Sequence, residues 1–116
     1  MTTAQVILQQ IRATTPINVF FSWGISKISE TTYKGMQTLV LKVNGFQHKG
    51  LVYITLNEGA DLYEITLFKI DWQIKKHLTD VYCEDLGMLL DSLIERPESQ
   101  SDADYLKKVE SAKYRL

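Results

Sequence analysis

Apolar residues recur along this chain with two different periods, and the switches between them mark out its elements. Val6, Ile7, Gln10 and Ile11 fall on one stripe at helical spacing, with Thr2 or Thr3 placed as the N-cap and Pro16 closing the segment. In "INVFFSWGIS", Ile17, Val19, Phe21, Trp23 and Ile25 alternate with a more polar set, which predicts a strand with one buried face. The polar "KISETTYKG" that follows reads as a loop or as the frayed ends of a hairpin. In the centre, Asn44-Gly45 is a strong two-residue hairpin signal. That turn sets Gln37 opposite Val52, Leu39 opposite Gly50, Leu41 opposite His48 and Val43 opposite Phe46, with Ile54 and Leu56 extending the row. A second turn at Glu58-Gly59 sets Ile54 opposite Tyr63 and Val52 opposite Ile65, with Leu67 beyond. Two separate turns therefore agree on one apolar face, as a correct register requires.

After Asp71 the pattern is shorter. "WQIKKHL" alternates Trp72, Ile74 and Leu78 against charged residues and reads as extended. "VYCEDLGMLLDSLIER" carries Tyr82, Leu86, Leu89 and Leu93 at helical spacing, widened by Leu90 and Ile94. Acids at its front and Arg96 at its end suit the helix dipole, and Pro97 stops it. "SDADYLKKVESAKY" predicts a last helix, with Ser101 as cap, Asp104 in a capping-box position and a thin apolar face. The layout is α-β-β-β-β-α-α. It is an α+β domain over residues 1–96, followed by a polar linker and helical tail over 97–116. Its antiparallel sheet has four strands, or five with residues 71–80 extended, and helices pack on one face.

Bulk properties narrow this picture without adding chemistry. A chain of 116 residues, 45% hydrophobic and 23% charged, suits one soluble globular domain. A net charge of −1 supplies no global attraction to nucleic acid or to an anionic membrane. Charge is unevenly placed: residues 78–104 hold eight acids against Arg96 alone, and the last twelve residues hold Lys107, Lys108, Lys113 and Arg115 against Glu110. A solvated acidic helix and a basic tail account for that. Cys83, the one cysteine, excludes an internal disulfide. The start of the chain lacks the pattern of a secretory signal, and no window approaches the roughly 18 apolar residues of a membrane span. A cytoplasmic location is expected.

Taken together, "FFSWG", "LVLKVNGFQHKGLVYITLN" and "DVYCEDLGMLLDSLIE" resemble small α+β proteins of gut Bacteroidetes and of their phages and mobile elements. The resemblance runs to about residue 95 and implies a genetic neighbourhood, with no activity attached.

Few residues offer catalysis. There is no nucleophile elbow, zinc-binding helix motif, phosphate loop or Cys pair. Cys83 with His48 or His77 as base is formally available, yet Glu84 and Asp85 oppose formation of its thiolate. Two histidines on separate segments make a poor metal set, and Glu84, Asp85 and Asp91 fit a solvated helix better than a paired-acid site. No catalytic residue, metal or cofactor is expected. His48, opposite Leu41 in this register, reads as a core-edge imidazole, unless a bulge at Gly50 turns it outward.

The face opposite the core is less polar than a one-sided sheet normally presents. Met36, Val40, Leu51, Tyr53 and Phe68 fall there and form the expected partner-binding patch, with Tyr53 and Phe68 as anchors. This supports a non-catalytic protein-binding or regulatory module, or a self-associating one. Lys42 and Lys49 on the same face raise single-stranded nucleic-acid binding as the alternative. A C-terminal segment folded back over the patch would explain it structurally.

Overall fold

The computed structural model describes residues 1–95. The elements are α1 (Thr3–Thr14), α2 (Ile17–Ser22), β1 (Lys27–Tyr33), β2 (Met36–Asn44), β3 (Lys49–Asn57), β4 (Leu62–Phe68), β5 (Ile74–Val81), a 3₁₀ turn (Cys83–Asp85) and α3 (Leu86–Ile94). The five strands form one antiparallel meander in the order β1-β2-β3-β4-β5. This is the expected α+β architecture with its fifth strand, reached by a partly different assignment of segments. The linker, Pro97, and the Ser101-capped last helix lie outside the described residues.

α1 begins as its sequence predicts. The Thr2 side chain accepts from the Gln5 backbone N–H, and the Gln5 side chain returns a bond to the Thr2 N–H, a complete capping box. Residues 17–22, expected as a strand, are helical. A period-two row also contains i, i+4 pairs, here Ile17/Phe21 and Val19/Trp23, and the helix buries only the second pair. Pro16 supplies the entry, since its fixed φ suits a helix start and its carbonyl accepts from the Phe20 N–H.

Residues 27–33, expected as a loop, are β1. A polar segment forms an edge strand because only one neighbour and little burial are asked of it. The two-residue hairpin lies at Lys34-Gly35, both at positive φ, joining the directly paired Tyr33 and Met36. Asn44-Gly45 instead opens a four-residue loop, with Asn44 opposite Lys49, and Glu58-Gly59 opens another, with Asn57 opposite Leu62. Both pairings slide by an even number of residues from the two-residue register. Every side chain therefore keeps its expected face.

The core lies between the inner sheet face and the helices. Leu39, Leu41, Val52, Ile54, Ile65 and Leu67 meet Ile7 and Ile11 of α1 and Leu86, Leu90 and Ile94 of α3. Trp23 is fully buried, and its indole N–H donates to Asp91 Oδ1 at 3.0 Å. Glu95 is also buried and accepts from the Phe46 N–H at 2.9 Å. The solvated acidic helix expected here is thus corrected: two of its acids fasten α3 to the rest of the fold. Gly87 permits the α1–α3 approach, since a Cβ there would overlap Thr15 Oγ1 and the Thr14 carbonyl.

Candidate functional site

The titratable candidates are dispersed. Cys83 is exposed, and its Sγ donates to Glu84 Oε2 at 3.2 Å. That bond, with the carboxylate's charge, pushes the thiol's pKa up and disfavours the nucleophilic thiolate. No histidine lines the hollow beside Cys83. His77 stands on β5 with Nδ1 2.8 Å from Thr66 Oγ1 and Nε2 3.3 Å from Glu64 Oε1. This is a hydroxyl–imidazole–carboxylate series, but Thr66 is buried mid-sheet, between Tyr53 and His77 in the strand ladders. It braces β4 to β5 as a cross-strand polar pair does.

His48 occupies the β2–β3 loop, 2% exposed, with Nε2 3.2 Å from the Leu51 carbonyl. The expected pairing with Leu41 is replaced, because Leu41 faces Val52. No register shift interrupts β2–β3. The loop itself holds the imidazole, with the Gln47 and His48 N–H groups both donating to the Ile94 carbonyl. Burial lowers the His48 pKa, the Leu51 bond partly opposes this, and the nearby Lys75 charge adds to it. Among the described residues, no three His, Cys, Asp or Glu side chains converge as a metal set.

All five patch residues share the outer sheet face, in rows that the register defines. One row runs Lys27–Lys42–Leu51–Phe68–Ile74 and the next Ser29–Val40–Tyr53–Thr66–His77. Val40 and Phe68 are buried there, while Met36, Leu51 and Tyr53 are half-buried. The cover comes from the same chain. Tyr33 meets Tyr53 and Phe68 at ring-centroid distances of 5.3 and 5.8 Å, Tyr53 meets Phe68 at 4.8 Å, and Trp72 meets Phe68 at 5.8 Å. Beneath them Thr38 and Thr55, both buried, share a 3.0 Å hydroxyl contact. This face is a second small core, roofed by the tip of the β1–β2 hairpin and by the β4–β5 turn.

Beside the roof lies a groove of about 370 Å³, bordered by Lys27, Lys42, Leu51, Tyr53, Glu30 and Trp72. Trp72 is 61% exposed and holds φ at +68°, an outlier for a bulky residue. The sequence places it in an alternating strand and gives no sign of this role. Its backbone N–H donates to the Lys69 carbonyl, which fixes the turn that presents it.

An exposed apolar surface also lies on the helical side. Ile17 and Phe21 are each 62% exposed and Ile28 is 47% exposed. With Leu8, Phe20 and Arg12 they border a cleft of about 540 Å³ between α1, α2 and β1. A second hollow of about 220 Å³ continues it along β1, sharing Leu8 and Ile28 and reaching Ala4 and Glu30. The i, i+4 pair Ile17/Phe21 was the one available signal, hidden by the alternation that contains it.

The sheet's two edges differ. β5 carries Lys75, Lys76 and His77, two register shifts in its pairing with β4, and a positive φ at Asp80. Such features block strand addition. β1 pairs with β2 over all seven residues without a shift, and no described strand pairs with its other side.

Fold and surfaces together define a small α+β domain, with a five-stranded meander backed by helices and an unblunted first edge. Comparison with protein-family models, curated proteins and solved structures finds no match to this chain. No helix among the described residues is long and apolar enough to cross a membrane.

Proposed function

We propose that this protein is a non-catalytic binding module that takes an extended segment of a partner protein as a sixth strand on β1. The carrying observation is the regular β1 edge, unpaired among the described residues, lying directly against the apolar cleft of Ile17, Phe21 and Ile28. Strand addition derives affinity from main-chain hydrogen bonds and selectivity from pockets for alternate side chains. The two hollows along β1 suit that arrangement, because alternate residues of an added strand stand about 7 Å apart on one face. Arg12 borders the larger cleft and makes no ion pair with a described residue, so the matching segment alternates apolar and polar residues and includes a carboxylate. Tyr53 and Phe68 act in this reading as the roof's own packing rather than as anchors for a partner.

The test is selection from a displayed library of peptides of about ten residues. Selected sequences are expected to alternate, to carry Asp or Glu and to protect β1 amides from hydrogen exchange. Phe21→Glu should weaken their binding about tenfold or more. Peptides with helical periodicity, peptides insensitive to Phe21→Glu, or a dimer in light scattering that occupies β1 would each overturn the reading.

A further inference from the structure

We infer that the groove on the opposite face of β1 is a second binding site, and that its ligand is single-stranded nucleic acid. It does not depend on the strand-addition reading, because it uses the outer side of the sheet and, apart from Ser29 and Glu30 on the shared strand, different side chains.

Charge is the first observation. Lys27 and Lys42 are directly opposite one another on β1 and β2, and like charges in that position repel. Neither makes an ion pair with a described residue. Lys49 stands opposite Asn44 in the next row of the same face. Three ammonium groups thus gather at one end of the sheet, with Glu30 the one carboxylate bordering the groove. A bound phosphate backbone removes the Lys27–Lys42 repulsion, which nothing described in the fold does.

Aromatic placement is the second. Tyr53 and Trp72 both border the groove that Lys27 and Lys42 border. Phe68 packs against both, edge-on with Tyr53 and tilted with Trp72, so packing orients them before any ligand arrives. Trp72 is held largely in the open by a turn with positive φ, a strained placement of the kind found at ligand sites. A base stacks on either ring without regard to its identity, while the lysines follow the backbone. Ser29 and Thr31 complete the rim as hydroxyl donors and acceptors for sugar or base edges. The flat, roofed strip suits unstacked bases and excludes a duplex, whose bases present no free face.

The experiment is fluorescence anisotropy of an end-labelled oligomer of about twelve thymidines with the full chain. Binding at low salt is expected, with log affinity falling against log salt at a slope of about −2, the value for three phosphate contacts on a single strand. The double variant Lys27→Gln/Lys42→Gln should bind about tenfold more weakly, with a thermal midpoint that rises or holds because the like-charge repulsion is gone. Trp72→Ala should weaken binding at least about fivefold, and Trp72→Phe should restore most of it. Trp23 is fully buried, so quenching of tryptophan emission on binding would come from Trp72. A flat titration at low salt, undiminished binding by the double lysine variant, or equal affinity for a duplex of the same length would overturn the inference. Phe21→Glu leaves this binding intact, which separates the result from that of the strand-addition test.

Discussion

His48 is enclosed by the loop that also receives the end of α3. Both its own N–H and that of Gln47 donate to the Ile94 carbonyl, and Lys75 Nζ donates to the Gln47 carbonyl. A proton added to the ring would sit in a site already desolvated and near an ammonium group. In the unfolded chain the imidazole titrates near its ordinary value of about 6.5, whereas in the fold its pKa lies lower. The unfolded state therefore binds more protons as pH falls through that value. Stability from His48 is full above it and declines until the pH passes the folded pKa. Thermal midpoints at about pH 7.5 and about pH 5.5 should differ more in the native chain than in His48→Gln. Thr15 presents the opposite kind of residue. Its hydroxyl is buried without a hydrogen-bond partner among the described residues, so it carries a desolvation cost with nothing to offset it. Thr15→Val keeps the shape and removes that cost. It is expected to stabilise the fold by about 1 kcal/mol, read as a higher urea midpoint at unchanged slope.

At the scale of elements, the outer sheet face shows how burial changes meaning with context. Phe68 is 6% exposed and touches Tyr33, Tyr53 and Trp72, so its ring organises the roof. Phe68→Ala should cost about 3–5 kcal/mol in unfolding measurements, as large-to-small changes in a core do. An exposed anchor would leave the unfolding midpoint nearly unchanged. The alternation that defined β2, β3 and β4 was legible because each of those strands has an inner face buried against the helices. β1 was not, because an edge strand under no such constraint can be polar throughout. The first helical pair, Ile17/Phe21, misled in the other direction, since six helical residues are too few for the two periods to separate. Turn chemistry was legible only as position. Asn44-Gly45 marks a reversal, but Gly45 lies against the Ile94 carbonyl, and docking to α3 gives the loop two more residues than the local signal asks for.

For the whole molecule, the sequence by itself determined the α+β class, the central antiparallel register up to an even slide, and α1 with an N-cap at Thr2 or Thr3. It also separated the core face from the outer one. These follow from local periodicity and parity, which survive any rigid rearrangement of the elements. It determined equally that Cys83 stands next to a carboxylate, which disfavours its thiolate wherever the segment packs. Only the tertiary structure decided which residues each surface presents. Whether Trp72 is packed or presented depends on the turn that carries it. Whether Phe68 is exposed depends on the rings of Tyr33 and Tyr53, which reach it from other strands, and on that of Trp72 in the following turn. Whether Asp91 and Glu95 face water depends on Trp23 and on the Phe46 N–H meeting them across the fold. The cleft on α1, α2 and β1 exists because these three successive elements pack so as to leave it between them. Exposure is a property of what fails to cover a residue, and that is set by how the elements pack, which a local hydrophobic pattern does not carry.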